Sequence, residues 1–395
     1  MPKAELQYLS DELQKLREQK LYQRLRVLET EQLPISRFDG HEVINLSSNN
    51  YLGLTTHPKL RLRAIEATEQ WGVGSGAVRT IAGTMSIHLA LEEEIARFKH
   101  VEASVVFQSG FTANAGTVSA ILGRDDVIVS DELNHASIID GCRLSRAEIK
   151  VFPHKDVGAC ENILKEIQDR KCHKLLITDG VFSMEGDIAP LPQLVELAEK
   201  YGCIMMIDDA HASGVLGRNG RGTVDHFNLH GRVDIQVGTL SKAIGALGGY
   251  VCSSRDTIDF LYHRARPFLF STSHPPSVAA TCLAAIEVLE EEPELIGQLW
   301  ANTRFFKAGL KKLGFNTGLS ETPITPVMVG DAALAHEFSR QLFAAGVFAQ
   351  GIGFPTVPHG KARIRTIVTA THTQEELTRA LAILAEVGKK LKIIE

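Results

Sequence analysis

The chain reads as an α/β protein with two parts: a large domain whose mostly parallel sheet is flanked by helices, and a smaller C-terminal α/β domain. Three observations point there. From about residue 60 to 280, short β-rich apolar runs alternate with helical periodicity, the pattern of strands joined by helical crossovers. A second set of strand and helix patterns follows Pro275 and Pro276. The length, 395 residues, exceeds one average domain, and 44% hydrophobic with 23% charged residues is enough to build a large core without staples.

In chain order, Leu6, Leu9, Leu13 and Leu16 recur at helical spacing and predict an amphipathic helix that packs on its own chain or on a partner subunit. A turn at Arg37-Phe38-Asp39-Gly40 leads to the alternating segment from Glu42 to Leu46, an edge strand that completes an N-terminal arm over 1–45. The large domain, 46–285, has strand patterns at Ala103 to Phe107, Val127 to Val129, Leu175 to Thr178, Ile204 to Ile207, Ile235 to Val237 and Gly249 to Cys252. Helices are expected around Ser86 to Phe98 and Leu191 to Tyr201. A helix from Ser277 to Glu291 leads into the small domain, 286–395, with strands near Thr325 to Val329 and Arg363 to Val368 and a last helix from Thr373 to Leu391.

Charge and cysteine usage narrow the partners. With 42 Lys plus Arg against 47 Asp plus Glu, the net charge of −5 gives no bulk attraction to nucleic acid or to an anionic membrane. The start, Met1 to Leu6, has no apolar signal core, and no apolar run is long enough to span a bilayer. Six cysteines without paired short spacings suggest neither a zinc knuckle nor a disulfide framework and fit a reducing compartment. The expectation is a cytoplasmic protein without a nucleic-acid or membrane partner.

Lys242 lies in Thr239-Leu240-Ser241-Lys242-Ala243, between a strand pattern and the glycine-rich Gly245 to Gly249. A lone loop lysine is usually a solvated charge. Among small and apolar neighbours, however, desolvation favours the neutral amine that forms a Schiff base. Asp208 and Asp209 close another strand pattern, where open α/β sheets place their ligands; an aspartate there can pair with a pyridinium nitrogen, or serve as a metal ligand or helix cap. Gln108 to Asn114 offers a phosphate cradle: a strand, the Gly110 turn, then a helix beginning near Thr112 whose N–H groups point at an anion, with the Thr239 hydroxyl in support. Polar clusters at Asp131 to Ser137 and Asp179 to Asp187 follow strands that share this sheet edge if the sheet is parallel. Arg363 and Arg365 alternate on one strand face, where a guanidinium can clamp a carboxylate; each of these clusters taken singly also fits a purely structural role.

These segments, in this order, resemble the α-oxoamine synthase family of fold-type I pyridoxal-phosphate enzymes, over nearly the whole chain from about Asn45. The family joins an amino acid, usually glycine, to an acyl-CoA thioester with loss of CoA. The resemblance implies pyridoxal 5'-phosphate as cofactor, Lys242 as its Schiff-base lysine and the base that removes the α-proton, and Asp208 on the pyridine nitrogen. It places His211 and Ser183 near the phenolic oxygen and His135 against the ring. Gly110, Phe111, Thr112 and Thr239 would hold the phosphate, with Thr272 reaching across from a second subunit of a homodimer. Asn49 and Arg365 would meet the substrate carboxylate, with Arg363 in reserve.

The acyl group is read from weaker signals. Gly351 to Pro358 carries no arginine, whereas the branch of the family that condenses a pimeloyl thioester, with decarboxylation, in biotin synthesis has one just before this Pro-rich run. Gly76 to Thr84 and Asp179 look closer to the glycine C-acetyltransferase branch of threonine catabolism, while Ser271-Thr272-Ser273 leans toward the pimeloyl branch. The expectation is therefore glycine and acetyl-CoA, giving 2-amino-3-ketobutyrate. The pimeloyl reaction, or an enzyme serving both, is the alternative, and Arg79 or Arg24 is then the cation left to meet the tail.

Overall fold

The computed structural model describes residues 4–19, 21–22 and 24–395. Residues 1–3, 20 and 23 of the N-terminal arm, and with them the Met1 to Lys3 start, lie outside the described residues. The strands are β1 (Ile35–Phe38), β2 (His41–Asn45), β3 (Ala103–Phe107), β4 (Val127–Asp131), β5 (Glu148–Phe152), β6 (Lys174–Asp179), β7 (Ile204–Asp208), β8 (Ile235–Thr239), β9 (Gly249–Ser253), β10 (Ile324–Gly330), β11 (Val347–Phe348), β12 (Gln350–Ile352) and β13 (Ala362–Ile367).

The chain divides into two compact units. One comprises Asn49–Ser183 and Asp187–Gln298, the other Met1–Ser48, Met184–Gly186 and Leu299–Glu395. The helix Pro276–Glu291 belongs to the larger unit because it packs along Pro58–Trp71 and Ser86–Lys99 there.

The larger unit is built on a seven-stranded sheet in the order β3-β9-β8-β7-β6-β4-β5, parallel except for β9, which is antiparallel to both of its neighbours. Every residue of β3, β4, β6, β8 and β9 is buried, as a sheet covered on both faces requires. Val105, Ile128, Ile177 and Val237 pack into one facial core, and Val129, Leu176, Met205 and Ile207 into the other. Edge strand β5 instead exposes Glu148 and Val151, and its charged outer side discourages further pairing.

In the smaller unit, β10-β13-β12 form an antiparallel sheet, and β2 pairs antiparallel with β1 and parallel with β11. Phe306, Val327, Phe338, Ile364 and Leu384 fill its core. The N-terminal helix forms over Gln7–Glu18, with Leu9, Leu13 and Leu16 exposed. Among the described residues, no helix is long and apolar enough to cross a membrane, and all six cysteines are free thiols.

Candidate active site

Parallel strands deliver the predicted residues to one edge of the larger sheet. Asp179 ends β6 and stands beside Asp208, which ends β7; Asp208 in turn pairs with Val237 of β8, two residues before Thr239. The turn after β4 brings in His135, as the cap of the helix Ala136–Ser145. Carboxyl ends of strands in such sheets are where ligands bind.

Asp208 is buried and held at both oxygens: Asn114 Nδ2 donates to Oδ2 at 2.6 Å and Ala210 N to Oδ1 at 2.8 Å. Asn114 also donates to Ser137 Oγ at 3.0 Å, and Ser137 Oγ lies 2.8 Å from His135 Nδ1, so one hydrogen-bonded chain links Asp208 to His135. Three residues after Asp208, buried His211 has its Nδ1 2.8 Å from the hydroxyl of Tyr51, which is itself fully buried and edge-on to the imidazole. Sequence reasoning assigned no role to Asn114 or Tyr51. Their signals were present, as a polar residue one turn into an apolar helix and a tyrosine inside the segment already singled out around Asn49.

The electrostatics follow from burial and from these neighbours. Burial, and then the carboxylate of Asp208, push Asp179 well above the usual carboxylate range, against the opposing pull of the His135 N–H at 2.7 Å and of Lys242. His135 is open on its outer side, yet desolvation by the surrounding protein lowers its pKa, helped by Lys242 and opposed by Asp208. Lys242, half-buried, is thus in electrostatic reach of both groups. Its loop is tightly packed: a Cβ on Gly245 would come within 2.8 Å of Thr55 N, so only glycine allows the lysine loop to lie against the Leu54–Thr56 turn. Asp209, the other half of the Asp208-Asp209 pair, is consumed structurally by an ion pair with fully buried Lys99 at 3.0 Å, and no metal-binding cluster is present among the described residues.

The cradle is present. The helix starts at Gly110 rather than near Thr112, because Ser109 caps it by accepting from Thr112 N at 3.1 Å. A Cβ on Gly249 would fall 2.4 Å from the Ser109 carbonyl carbon, and one on Gly110 would sit 3.4 Å from Thr239 Cβ. Glycine at 249 keeps the strand end and helix start together, whereas position 110 meets Thr239 only in ordinary contact; the first N–H groups, at Gly110 and Phe111, have no partner inside the helix. A phosphate fits this end by charge and by donor geometry, with Thr239 Oγ1 beside it. Asp208, as a buried acceptor, and Lys242, as an amine within reach of the same edge, complete a set that fits a phosphorylated pyridine aldehyde.

The other predicted residues are divided between the two units. Ser183 and Asn49 are half-buried in the same unit. Thr272 is exposed, and its carbonyl accepts from Gln108 Nε2 of the same chain at 2.8 Å. Arg365 stands half-buried in β13, in the smaller unit. Arg363, two residues away, is buried and committed: Nη1 donates to Glu185 Oε1 and to the Met184 carbonyl, both at 2.8 Å. It is corrected from reserve carboxylate clamp to structural ion pair. Arg79 is likewise held by Glu92, with bonds of 2.7 and 2.9 Å, and is withdrawn as a partner for an acyl tail.

The family model for aminotransferase class I and II matches residues 41–384. The 8-amino-7-oxononanoate synthase of Symbiobacterium thermophilum is 62% identical over 98% of this chain and 99% of its own, and 8-amino-7-oxononanoate synthase 1 of Bacillus subtilis is 55% identical over 99% of each. Among solved structures, serine palmitoyltransferase from S. paucimobilis superposes with a TM-score of 0.94 at 32% identity, covering 99% of both chains. The chain therefore belongs to the aminotransferase class I and II family of fold-type I pyridoxal-phosphate enzymes. Within it the chain is an α-oxoamine synthase, and pyridoxal phosphate is its cofactor. The expected glycine C-acetyltransferase activity and its place in threonine catabolism find no support in these relatives; the alternative reading does.

Proposed function

We propose that the chain condenses a pimeloyl thioester with an amino acid, releasing the free thiol and carbon dioxide and forming 8-amino-7-oxononanoate. Full-length identity of 55–62% to proteins bearing that product's name carries the reading. The name itself fixes the atoms. Carbons 1 to 7 are a seven-carbon acyl group with a terminal carboxylate, and carbons 8 and 9, an amine-bearing CH with its methyl, are what alanine leaves after losing its carboxyl. Glycine, the earlier expectation, would give a product one carbon shorter.

When bound, pyridoxal phosphate supplies an electron sink for the pair left at the amino-acid α-carbon. The residues supply the rest. Lys242 would hold the cofactor and would serve as the general base for the α-proton. Asp208, fixed by Asn114 and Ala210, would accept a hydrogen bond from the pyridinium N–H, and His135 would wall the ring. His211, oriented by Tyr51, and Ser183 address the phenolic oxygen, while Asn49 and Arg365 hold the substrate carboxylate. Thr272 completes the phosphate contacts from a second subunit of a homodimer, and the free thiols are consistent with a cytoplasmic enzyme.

A pimeloyl tail ends in a carboxylate and needs a cation. With Arg79 withdrawn, Arg24 is the candidate: it lines a cavity of about 850 Å³ in the smaller unit together with Arg17, Arg26 and Arg340. The test is product identification by mass spectrometry after incubating the cofactor-loaded protein with alanine and pimeloyl-CoA. Formation of 8-amino-7-oxononanoate is expected. Turnover of acetyl-CoA with glycine and none of the pimeloyl thioester would overturn the reading.

A further inference from the structure

His154 follows β5 and lies between two carboxylates, Asp131 at the end of β4 and Asp187 in the loop after β6. Its Nδ1 is 3.0 Å from Asp131 Oδ1, and its Nε2 is 3.0 Å from Asp187 Oδ2. A neutral imidazole has one N–H and can satisfy one of these bonds; the imidazolium satisfies both. The two carboxylates are 2% exposed each, so neither is answered by bulk water. The remaining charged groups around the ring are Glu132, which accepts His154 N at 2.9 Å, and Lys155, which donates its N–H to Asp131 at 2.9 Å and its Nζ to Asp187 at 3.2 Å. Phe182 closes the site, edge-on at 4.3 Å, and its own N–H donates to the Asp187 carbonyl at 3.1 Å.

The placement along the chain gives this bridge a consequence. Asp131 opens the turn that ends at His135, and Asp187 closes the loop that begins at Ser183. We propose that His154, as an imidazolium, is a positioning residue that ties these two segments together and so fixes the side chains at the ring face and at the phenolic oxygen. Burial by itself disfavours the charge, but the bonds to Asp131 and Asp187 outweigh it and raise the pKa to about 9, so the bridge is intact at neutral pH. The inference rests on the placing of His135 and Ser183 at the cofactor, and not on which thioester reacts.

Two measurements test it. In the full chain without cofactor, the His154 ring signal is followed by NMR against pH, assigned by its loss in His154→Gln or its shift in Asp187→Asn. A midpoint near 9 is expected, and one near 6.5 overturns the proposal. In the second, the dissociation constant for pyridoxal phosphate is read from visible absorbance. His154→Gln should weaken it on the order of 10-fold at pH 7. Turnover of whichever thioester the wild type accepts should fall by up to about 100-fold with KM unchanged. Both ratios of variant to wild type should shrink toward one by pH 10, where the wild-type imidazole is neutral. Equal constants at pH 7, or a ratio indifferent to pH, overturns the bridge as a positioning device. If His154→Gln does not fold, Asp187→Asn, which keeps the backbone acceptor of Phe182, replaces it with the same outcomes.

Discussion

Asp208 and His211 are three residues apart, yet each owes its orientation to a different element: Asn114 in the cradle helix for the first, Tyr51 in the turn after Asn49 for the second. Replacing Tyr51 by Phe removes one hydrogen bond and leaves the ring contact, so kcat should fall roughly five- to tenfold, the worth of about 1 kcal/mol. Steady-state kinetics reads this, together with a shift in the pH dependence of the cofactor's visible absorbance. Arg24→Ala tests a different residue for a different step. If Arg24 meets the distal carboxylate, KM for pimeloyl-CoA rises by roughly tenfold or more, as for a lost charged hydrogen bond, and KM for acetyl-CoA stays where it was. An equal change for both thioesters assigns Arg24 to folding or to the CoA moiety instead.

At the level of elements, the site depends on how closely β9 approaches the cradle. A methyl at Gly249 meets the backbone of Ser109 at 2.4 Å and of Gly110 at 2.5 Å, and backbone atoms cannot rotate away. Gly249→Ala should therefore cost roughly 1–3 kcal/mol, seen as a melting temperature several degrees lower and as weaker cofactor binding in an absorbance titration; unchanged melting and affinity would mean the cradle is looser than drawn. The same elements show how much was legible beforehand. The buried strands could be read because apolar runs such as Leu175 to Thr178 end in polar residues, and in a parallel sheet those ends converge; this located Asp208, His135 and Lys242. Edge strand β5 was missed because Glu148-Ile149-Lys150-Val151 mixes charge into a half-covered strand. The two-residue β11 was missed because its partner β2 is some three hundred residues away in sequence and no local pattern announces the pairing. The fate of Arg363 was equally unreadable, since Glu185 lies 178 positions earlier. The acetyl reading, which the relatives do not support, rested on a related weakness: the absence of an arginine in one short segment carries no information about cations elsewhere in the chain.

For the molecule as a whole, two buried histidines and the half-buried His154 set opposite limits on the pH range of stability. Burial, with the charges of His88 and Arg79, lowers His274 to about 4, and burial lowers His372 to about 4 against one hydrogen bond that opposes it. Both are neutral in the fold and protonate more readily when unfolded, so their contribution is full above 6.5 and is lost as pH falls toward 4, by roughly 3 kcal/mol each. His154, raised to about 9, has the reverse sign: its contribution is full below 6.5 and is lost as pH rises through 9. The melting temperature should therefore peak near pH 6.5 and decline on both sides. A curve that rises steadily to pH 9 would contradict the charged bridge, and one flat from 6.5 to 4 would contradict the buried neutral histidines. Acyl preference is read most directly from the ratio of kcat/KM for pimeloyl-CoA to that for acetyl-CoA, followed by free thiol release from the cofactor-loaded enzyme with alanine as co-substrate. A ratio well above one is expected for a pimeloyl-condensing enzyme, and a ratio below one would overturn that function.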